Sequence, residues 1–217
     1  MMRTGILFDL DGTLLDTLAD LHSSVNHALS VMGYPARTLE EVRQFVGNGA
    51  RRLIAQAVPA GGDVEETLPR FREYYEAHCR VQTRPYDGIL EALERVRERY
   101  PVAIVSNKPD SAVKILSEIY FGGIFARGED VDCPRKPAPD MVYQTMAALG
   151  AERCVYVGDS EVDVLTAKNA GVPCLSVLWG FRDKGVLEAA GAEYFCEKPA
   201  DLPAAIDRIV KENRHGQ

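Results

Sequence analysis

The spacing of hydrophobic residues changes along this chain and predicts two kinds of structure. Residues 4–8 form a short apolar run followed by two acids and a glycine, which is typical of a buried strand that leads into a loop. Between residues 17 and 84 the apolar positions recur at helical intervals, as at Leu18, Leu21 and Val25. We therefore expect one strand followed by an all-helical segment.

Local signals mark the helices of this segment. Thr38 and Glu41 have the spacing of a capping box and predict the start of the second helix. The third helix is expected to follow Gly49, and the fourth to cover roughly residues 69–80 with Pro69 in its first turn. No strand is expected in this segment.

After residue 85, strands and helices alternate. The predicted strands lie at 102–106, 124–126, 154–158, 173–178 and 193–196, and the helices between them at about 89–99, 110–120, 138–149 and 161–170. Near-continuous apolar strands that alternate with helices indicate a parallel sheet covered on both faces. The predicted fold class is therefore α/β, with a core domain of residues 1–16 and 85–217. A small helical cap domain of residues 17–84 is inserted after strand one.

Charge and composition exclude several classes of function. The 25 basic and 32 acidic residues give a formal net charge of −7, so we expect no binding to nucleic acid or to an anionic membrane. No apolar run approaches the roughly 18 residues of a spanning helix, and none resembles a signal peptide. The five cysteines form no CxxC pair, so reduced thiols and a cytoplasmic location are expected. The oligomeric state stays open between monomer and homodimer.

Acidic, hydroxyl and amine side chains follow the predicted strands. They are Asp9 and Asp11 after the first strand, Ser106, Asn107 and Lys108 at the end of the second, and Asp159 and Asp163 after the strand at 154–158, with Lys136 in a loop before a helix. Because ligands of such sheets lie beyond the carboxyl ends of the strands, we expect these side chains to converge on one edge.

The spacing of Asp9 and Asp11 indicates phosphoryl transfer. Residues i and i+2 of an extended chain point to the same side, so two carboxylates can flank one substrate atom. One carboxylate can attack phosphorus to give an acyl phosphate, and the other can protonate the leaving oxygen and then deprotonate the attacking water. An anionic nucleophile that approaches a phosphate needs a hard divalent cation, and Mg²⁺ is the usual choice.

Other residues of the expected site would hold the cation and the phosphate. Asp159 is placed as a further carboxylate ligand, while Asp163 could hold either a metal-bound water or Lys136. The ammonium of Lys136, the hydroxyl of Ser106 and the backbone N–H of Asn107 would donate hydrogen bonds to the phosphoryl oxygens.

Four motifs occur in order along the chain: DLDGT from residue 9, SNK from 106, KPAP from 136 and GDSEVD from 158. Together they resemble the motifs of the haloacid dehalogenase superfamily of phosphatases, and the helical segment lies where that superfamily inserts a cap. The resemblance covers the whole chain. It implies a Rossmann-like sheet of strand order 5-4-1-2-3 and a Mg²⁺-dependent phosphomonoester hydrolase that forms an aspartyl phosphate.

The same resemblance implies roles for individual residues. Asp9 would be the nucleophile and Asp11 the general acid/base, while Ser106 and Lys136 would bind phosphate and stabilise charge. Asp9, the backbone carbonyl of Asp11, and Asp159 would be the Mg²⁺ ligands.

Substrate contacts are expected from both parts of the chain. The candidates are Gly12, Thr13, Asn107 and Lys108 in the core, and Asn48, Gly49 and Arg51 in the cap. The stretch from Gly47 to Arg52 has two interpretations. It is either a helix–helix turn with a solvated basic first turn, or a substrate loop whose guanidinium groups suit a carboxylate or phosphate. This stretch resembles the cap of bacterial phosphoglycolate phosphatases.

Several other members of the superfamily fit less well. Asp11 favours phosphoryl transfer over dehalogenation, because a leaving alkoxide needs a proton and a halide does not. Residues 17–84 contain eight arginines and no lysine. This cap therefore cannot supply the lysine with which some members of the superfamily form a Schiff base. The sequence therefore predicts a phosphatase of a small phosphorylated metabolite, most like phosphoglycolate phosphatase. The alternatives are a phosphosugar mutase, against which Thr13 argues, and a pyrophosphatase.

Overall fold

A six-stranded parallel sheet forms the centre of the computed structural model, which describes residues 3–213. Within that range the strands are β1 (Thr4–Phe8), β2 (Leu15–Asp16), β3 (Arg84–Pro85), β4 (Val102–Pro109), β5 (Ala126–Glu129), β6 (Arg153–Gly158), β7 (Cys174–Val177) and β8 (Tyr194–Cys196). The order in the large sheet is β5-β4-β1-β6-β7-β8. This order confirms the predicted Rossmann-like arrangement, with β8 added as a sixth strand at one edge.

The central strand of the sheet is buried on both faces. Ile6 and Phe8 of β1 pack into one hydrophobic cluster, while Leu7 between them packs into the other. Alternate residues of a strand point to opposite faces, so a strand covered on both sides must be apolar at every position. The near-continuous apolar run at residues 4–8 reflects this burial.

Helices cover the sheet and form the inserted segment. They are α1 (Leu18–Val31), α2 (Leu39–Phe45), α3 (Ala50–Ala57), α4 (Val64–His78), α5 (Ile89–Arg97), α6 (Asp110–Phe121), α7 (Asp140–Leu149), α8 (Glu161–Ala170), α9 (Lys184–Ala189), a 3₁₀ turn (Pro199–Asp201) and α10 (Leu202–Glu212). The predicted capping box is present at the start of α2, where the Thr38 N–H donates to Glu41 at 2.7 Å and the Glu41 N–H donates to the Thr38 hydroxyl at 3.2 Å. Among the described residues, no helix is both long and apolar enough to cross a membrane.

The predicted start of α4 is wrong. The helix begins at Val64, where the Asp63 side chain accepts the N–H of Glu66 at 2.9 Å, so Pro69 lies inside the helix instead of in its first turn. An interior proline costs about 3 kcal/mol because it removes a backbone N–H and crowds the preceding turn. Burial of Phe71 and Tyr75 on the same helix offsets this cost.

Two further expectations differ from the structure. Arg84, expected outside any strand, lies in β3, which pairs antiparallel with β2. The strand β4 continues to Pro109, so Asn107 and Lys108 lie within the strand and not after it.

Hydrogen bonds tie the two connections of the helical cap (residues 17–84) together beside the sheet. The buried carboxylate of Asp20 on α1 accepts the N–H groups of Gln82 and Thr83 at 2.8–3.0 Å. The chain therefore leaves the core and returns to it at nearly the same place. The division into two domains stays a prediction, and residues 1–2 and 214–217 of the predicted core domain lie outside the described residues.

Candidate active site

The residues predicted at the strand ends meet at the carboxyl edge of the sheet. Asp9 follows β1, and its N–H donates to the carbonyl of Val157 on the neighbouring strand at 2.8 Å. Lys136 reaches the same point from its loop, with Nζ 2.9 Å from Oδ1 of Asp9. Asp159 follows β6, directly beside β1 in the sheet. The convergence comes from the parallel sheet, which brings the ends of β1, β4 and β6 together.

Lys136 is a buried cation held by several partners. Its Nζ lies 2.8 Å from Oδ1 of Asp163 and donates to the Tyr156 hydroxyl at 3.0 Å, while that hydroxyl donates to the carbonyl of Val105. Burial lowers the pKa of Lys136, but the carboxylates of Asp163 and Asp9 outweigh it and hold this pKa well above its ordinary value. Lys136 is therefore charged at neutral pH.

Asp163 uses both of its oxygens within the protein. Oδ1 pairs with Lys136, and Oδ2 accepts the N–H of Ser160 at 3.1 Å and its hydroxyl at 2.6 Å. Of the two roles considered from sequence, the structure therefore places Asp163 as the partner of Lys136. Gly158 makes room for it, because a Cβ there would lie 2.3 Å from Cγ of Asp163.

Asp159 is held in a close-fitting pocket. The Thr13 hydroxyl donates to Oδ1 at 3.1 Å and the N–H of Phe181 donates to Oδ2 at 2.7 Å. A Cβ on Gly12 or Gly180 would approach the Asp159 side chain to 2.3 Å. Thr13 therefore positions this carboxylate and Gly12 leaves room for it, while the substrate contact predicted for both residues stays a prediction.

The acidic residues fit a divalent cation. Ligand oxygens of Asp9, Asp159 and Asp163 lie within 4.8 Å of one another, and Oδ1 of Asp9 accepts no well-aligned hydrogen bond from the described residues. Burial, reinforced by the Asp163 and Asp9 carboxylates, raises the pKa of Asp159 well above its usual range. Burial likewise raises the pKa of Asp9 to about 7, although Lys136 opposes this shift.

When all three are ionised, these buried carboxylates carry more negative charge than the single lysine balances. Carboxylate oxygens are the donors that hard cations such as Mg²⁺ and Ca²⁺ prefer. Asp9 and Asp159 would hold such an ion, because Asp163 is already paired with Lys136 and Ser160.

Asp11 is separated from this acidic cluster and has a lysine of its own. Its two carboxylate oxygens lie 2.7 and 3.0 Å from Nζ of Lys108. Lys108 is buried, and its ammonium also lies 4.6 Å from the centroid of the Tyr75 ring on α4. The neighbouring carboxylates Asp9 and Asp11 are thus paired with different cations.

The other residues of the SNK motif support the site in different ways. The Ser106 side chain is buried and lines the cavity beside Asp9. The Asn107 side chain donates to the carbonyls of Lys136 at 2.9 Å and Gly47 at 3.1 Å, and its oxygen accepts the N–H of Lys136. It therefore joins the lysine loop to the helical cap, while the donor role predicted for its backbone N–H stays a prediction.

A small cavity of about 50 Å³ separates the carboxyl edge of the sheet from the helical cap. Gly49 lies on its wall, whereas Arg51 does not. Arg51 is exposed and pairs with Glu65 at 2.5 Å on the cap surface. Arg52 is exposed, and Asn48 also lies outside the residues that line the cavity. The structure thus favours the helix–helix turn with a solvated basic turn for these two arginines.

Sequence reasoning missed three residues that shape the site, which are Tyr75, Tyr156 and Arg182. Arg182 donates to the carbonyls of Arg43 and Val46 at the end of α2, and it is held by Glu161 at 2.8 Å. It therefore links the loop after β7 to the helical cap. None of the three lies at a motif position whose chemistry marks it, so the sequence carries no signal for them.

Comparisons with known proteins agree with this geometry. The model of the haloacid dehalogenase-like hydrolase family matches residues 6–177. A phosphoglycolate phosphatase of Mesorhizobium japonicum is 38% identical over 229 aligned positions, which cover 99% of this chain and 100% of that protein.

Solved structures have the same fold. A protein from Lactobacillus delbrueckii subsp. bulgaricus superimposes with a TM-score of 0.87 at 36% identity, covering 95% of this chain and 99% of its own. A haloacid dehalogenase-like hydrolase from Streptococcus pneumoniae gives 0.84 at 26% identity, covering 93% and 97%. These matches confirm the predicted superfamily and the predicted phosphatase class. The chain therefore belongs to the haloacid dehalogenase-like hydrolase family.

Proposed function

We propose that this protein is a Mg²⁺-dependent phosphatase that hydrolyses a small phosphomonoester, 2-phosphoglycolate, through an aspartyl phosphate. The observation that carries the proposal is the pairing of Asp9 with Lys136 and of Asp11 with Lys108, at 2.9 and 2.7 Å. Two neighbouring carboxylates in different electrostatic surroundings can take different chemical roles.

The proposed reaction has two steps. An oxygen of Asp9 attacks phosphorus, the bond from phosphorus to the ester oxygen breaks, and Asp11 gives its proton to the leaving alkoxide. Asp11 then takes a proton from a water, which attacks the acyl phosphate, releases inorganic phosphate and restores Asp9. Lys136 and Ser106 neutralise and orient the phosphoryl oxygens. Bound Mg²⁺ would offset the repulsion between the Asp9 carboxylate and the phosphate.

The choice of substrate is supported by the relatives and by the cavity. The matched protein of Mesorhizobium japonicum is a phosphoglycolate phosphatase, and a cavity of about 50 Å³ leaves room for a small substrate only. Phosphate release over a panel of phosphorylated metabolites, with and without Mg²⁺, tests the proposal. We expect 2-phosphoglycolate to have the highest kcat/KM. Conversion of a sugar phosphate to its isomer, detected by NMR without phosphate release, would contradict hydrolysis and favour a mutase.

Replacing Asp11 with asparagine should block the two proton transfers and leave the attack by Asp9 possible. The amide cannot give or take the proton, so we expect kcat for 2-phosphoglycolate to fall about 100-fold or more. p-Nitrophenolate leaves without protonation, so the first burst of p-nitrophenol release should persist while steady-state turnover falls. Stopped-flow absorbance measures both phases.

A matched control for this variant is Asp87→Asn, which changes an exposed carboxylate away from the cavity. It should leave both phases unchanged. If the Asp11→Asn enzyme kept the wild-type pH–rate profile, Asp11 would not be the general acid/base.

A further inference from the structure

The hydroxyl group of Tyr75 is buried, with the Lys108 ammonium beside it. Tyr75 lies on α4 of the helical cap with 2% of its surface exposed, and its hydroxyl oxygen makes no well-aligned hydrogen bond to any residue between 3 and 213. Buried hydroxyl groups are normally hydrogen-bonded, because an unpaired one forfeits its interactions with water. An ammonium can only donate hydrogen bonds, so the proton of this hydroxyl has no acceptor among the described residues and is available to a ligand in the cavity.

The cavity that Tyr75 faces is the one that contains Asp9 and Asp11. The Tyr75 ring lies 4.6 Å from Nζ of Lys108, and the same Nζ lies 2.7 Å from Asp11. One ammonium group thus separates the tyrosine from the carboxylate that serves the leaving oxygen. A group bound at the Tyr75 hydroxyl would be only a short carbon chain away from that oxygen.

The rest of the cap side of this cavity is apolar. Its other side chains are Leu21, Val46, Ala50, Leu53 and Phe71, all buried. None of these side chains can form a hydrogen bond. Among the described residues, the Tyr75 hydroxyl is therefore the polar side-chain group that the cap presents to a substrate.

We propose that the Tyr75 hydroxyl donates a hydrogen bond to the substrate carboxylate and, beside the Lys108 ammonium, selects phosphate esters of short carboxylic acids. This inference rests on the proposed phosphatase function and assigns its specificity to the tyrosine instead of to Arg51, which the structure turns outwards. A carboxylate suits this position, because hydrogen bonds to charged groups are the stronger ones and the ammonium adds a favourable charge.

Two esters that differ only at this end test the proposal. 2-Phosphoglycolate carries a carboxylate where ethyl phosphate carries a methyl group. We expect the wild-type enzyme to prefer the former, and Tyr75→Phe to lower kcat/KM for it about 10- to 100-fold, mainly through KM. The same variant should change kcat/KM for ethyl phosphate less than about threefold. Phenylalanine keeps the ring beneath Lys108, so only the hydroxyl is lost.

Tyr74→Phe is the matched control. Tyr74 precedes Tyr75 on α4 and stacks between the rings of His27 and His78, away from the cavity. This variant should leave both esters unaffected. Thermal unfolding of Tyr75→Phe provides a second readout. Removing a hydroxyl whose proton has no acceptor in the protein should change the Tm little, because Lys108 keeps its pair with Asp11, whereas a structural role would lower the Tm.

The other outcomes contradict either the carboxylate contact or the proposed phosphatase function. An equal fall in kcat/KM for both esters, or no change for either, would contradict the contact between Tyr75 and the substrate carboxylate. It would not contradict the proposed phosphatase function. The carboxylate contact would also be contradicted if the wild-type enzyme hydrolysed p-nitrophenyl phosphate but did not prefer 2-phosphoglycolate to ethyl phosphate. Failure to hydrolyse any phosphate ester in the presence of Mg²⁺ would instead overturn the proposed function.

Discussion

Replacing Asp9 with asparagine is expected to lower kcat below about 1% of the wild-type value, because an amide oxygen does not form the acyl phosphate. Lys136, Ser106 and Asp159 would remain in place to bind the phosphate. The loss should therefore fall on kcat, while binding of inorganic phosphate, followed by calorimetry, persists. Retention of more than a few per cent of turnover would contradict the nucleophilic role.

The stability of the same variant provides an internal check on folding. Burial raises the pKa of Asp9 from 3.8 to about 7, so the folded protein holds its proton more tightly than the unfolded chain does. Stability is then lost as the pH rises from about 4 through 7, because ionised Asp9 is disfavoured in the fold. In chelator at pH 8, Asp9→Asn should therefore melt about 2 °C or more above the wild type, and near pH 4 the difference should vanish.

Asp163→Asn is expected to change the melting temperature in the opposite direction. This change removes the charged partner of Lys136 and leaves a buried cation with less compensation. Its melting temperature should fall, although Asp163 and Asp9 are both buried carboxylates beside the same lysine. If Asp9→Asn were destabilised as strongly as Asp163→Asn, Asp9 would have a structural role.

Removal of divalent metal is expected to have the second large effect. EDTA should abolish phosphate release and added Mg²⁺ should restore it, since Asp9 and Asp159 gather negative charge that one lysine does not balance. Mg²⁺ should also raise the Tm, because a ligand that binds only the folded state stabilises it. This shift is measurable without any substrate.

Asp159→Asn should lose most of the Tm shift produced by Mg²⁺. The asparagine keeps an oxygen that can accept hydrogen bonds from Thr13 or Phe181, so the cradle of the side chain is largely retained. Asp87→Asn, an exposed change, should keep the shift. Full activity in EDTA, or a Tm that does not respond to Mg²⁺, would contradict the assignment of the cation.

Much of the fold could be predicted from local patterns. Apolar runs such as residues 4–8 must be buried on both faces, and in alternation with helices this leads to a parallel sheet. The capping box at Thr38 was predicted correctly because its two hydrogen bonds join residues three apart. The start of α4 was missed because Pro69 is typical of a first turn, whereas packing of Phe71 and Tyr75 allows it inside the helix.

Part of the candidate site could likewise be predicted from the sequence, and part of it depends on packing. Asp9 and Asp159 could be placed together because each follows a strand, and a parallel sheet aligns the strand ends. Lys136 lies in a loop, and the resemblance of its KPAP motif to the superfamily is what assigned it to the same site. The partner of Asp163 stayed open from sequence, since a metal-bound water and a lysine need the same carboxylate. Packing resolves it by holding Lys136 within 2.8 Å.

By itself, the sequence determined which chemical groups the site contains: paired aspartates and a further acid after buried strands, with a lysine in a loop. Motif spacing and strand periodicity are local properties, so they can be recognised without the structure. Only the tertiary structure decided which side chains of the helical cap face that chemistry. Tyr74 and Tyr75 are adjacent and alike, yet a rotation of about 100° per residue turns one toward histidine rings and the other into the cavity. Contacts between residues distant in the chain depend on how the helices pack, and a pattern within a single helix does not specify them.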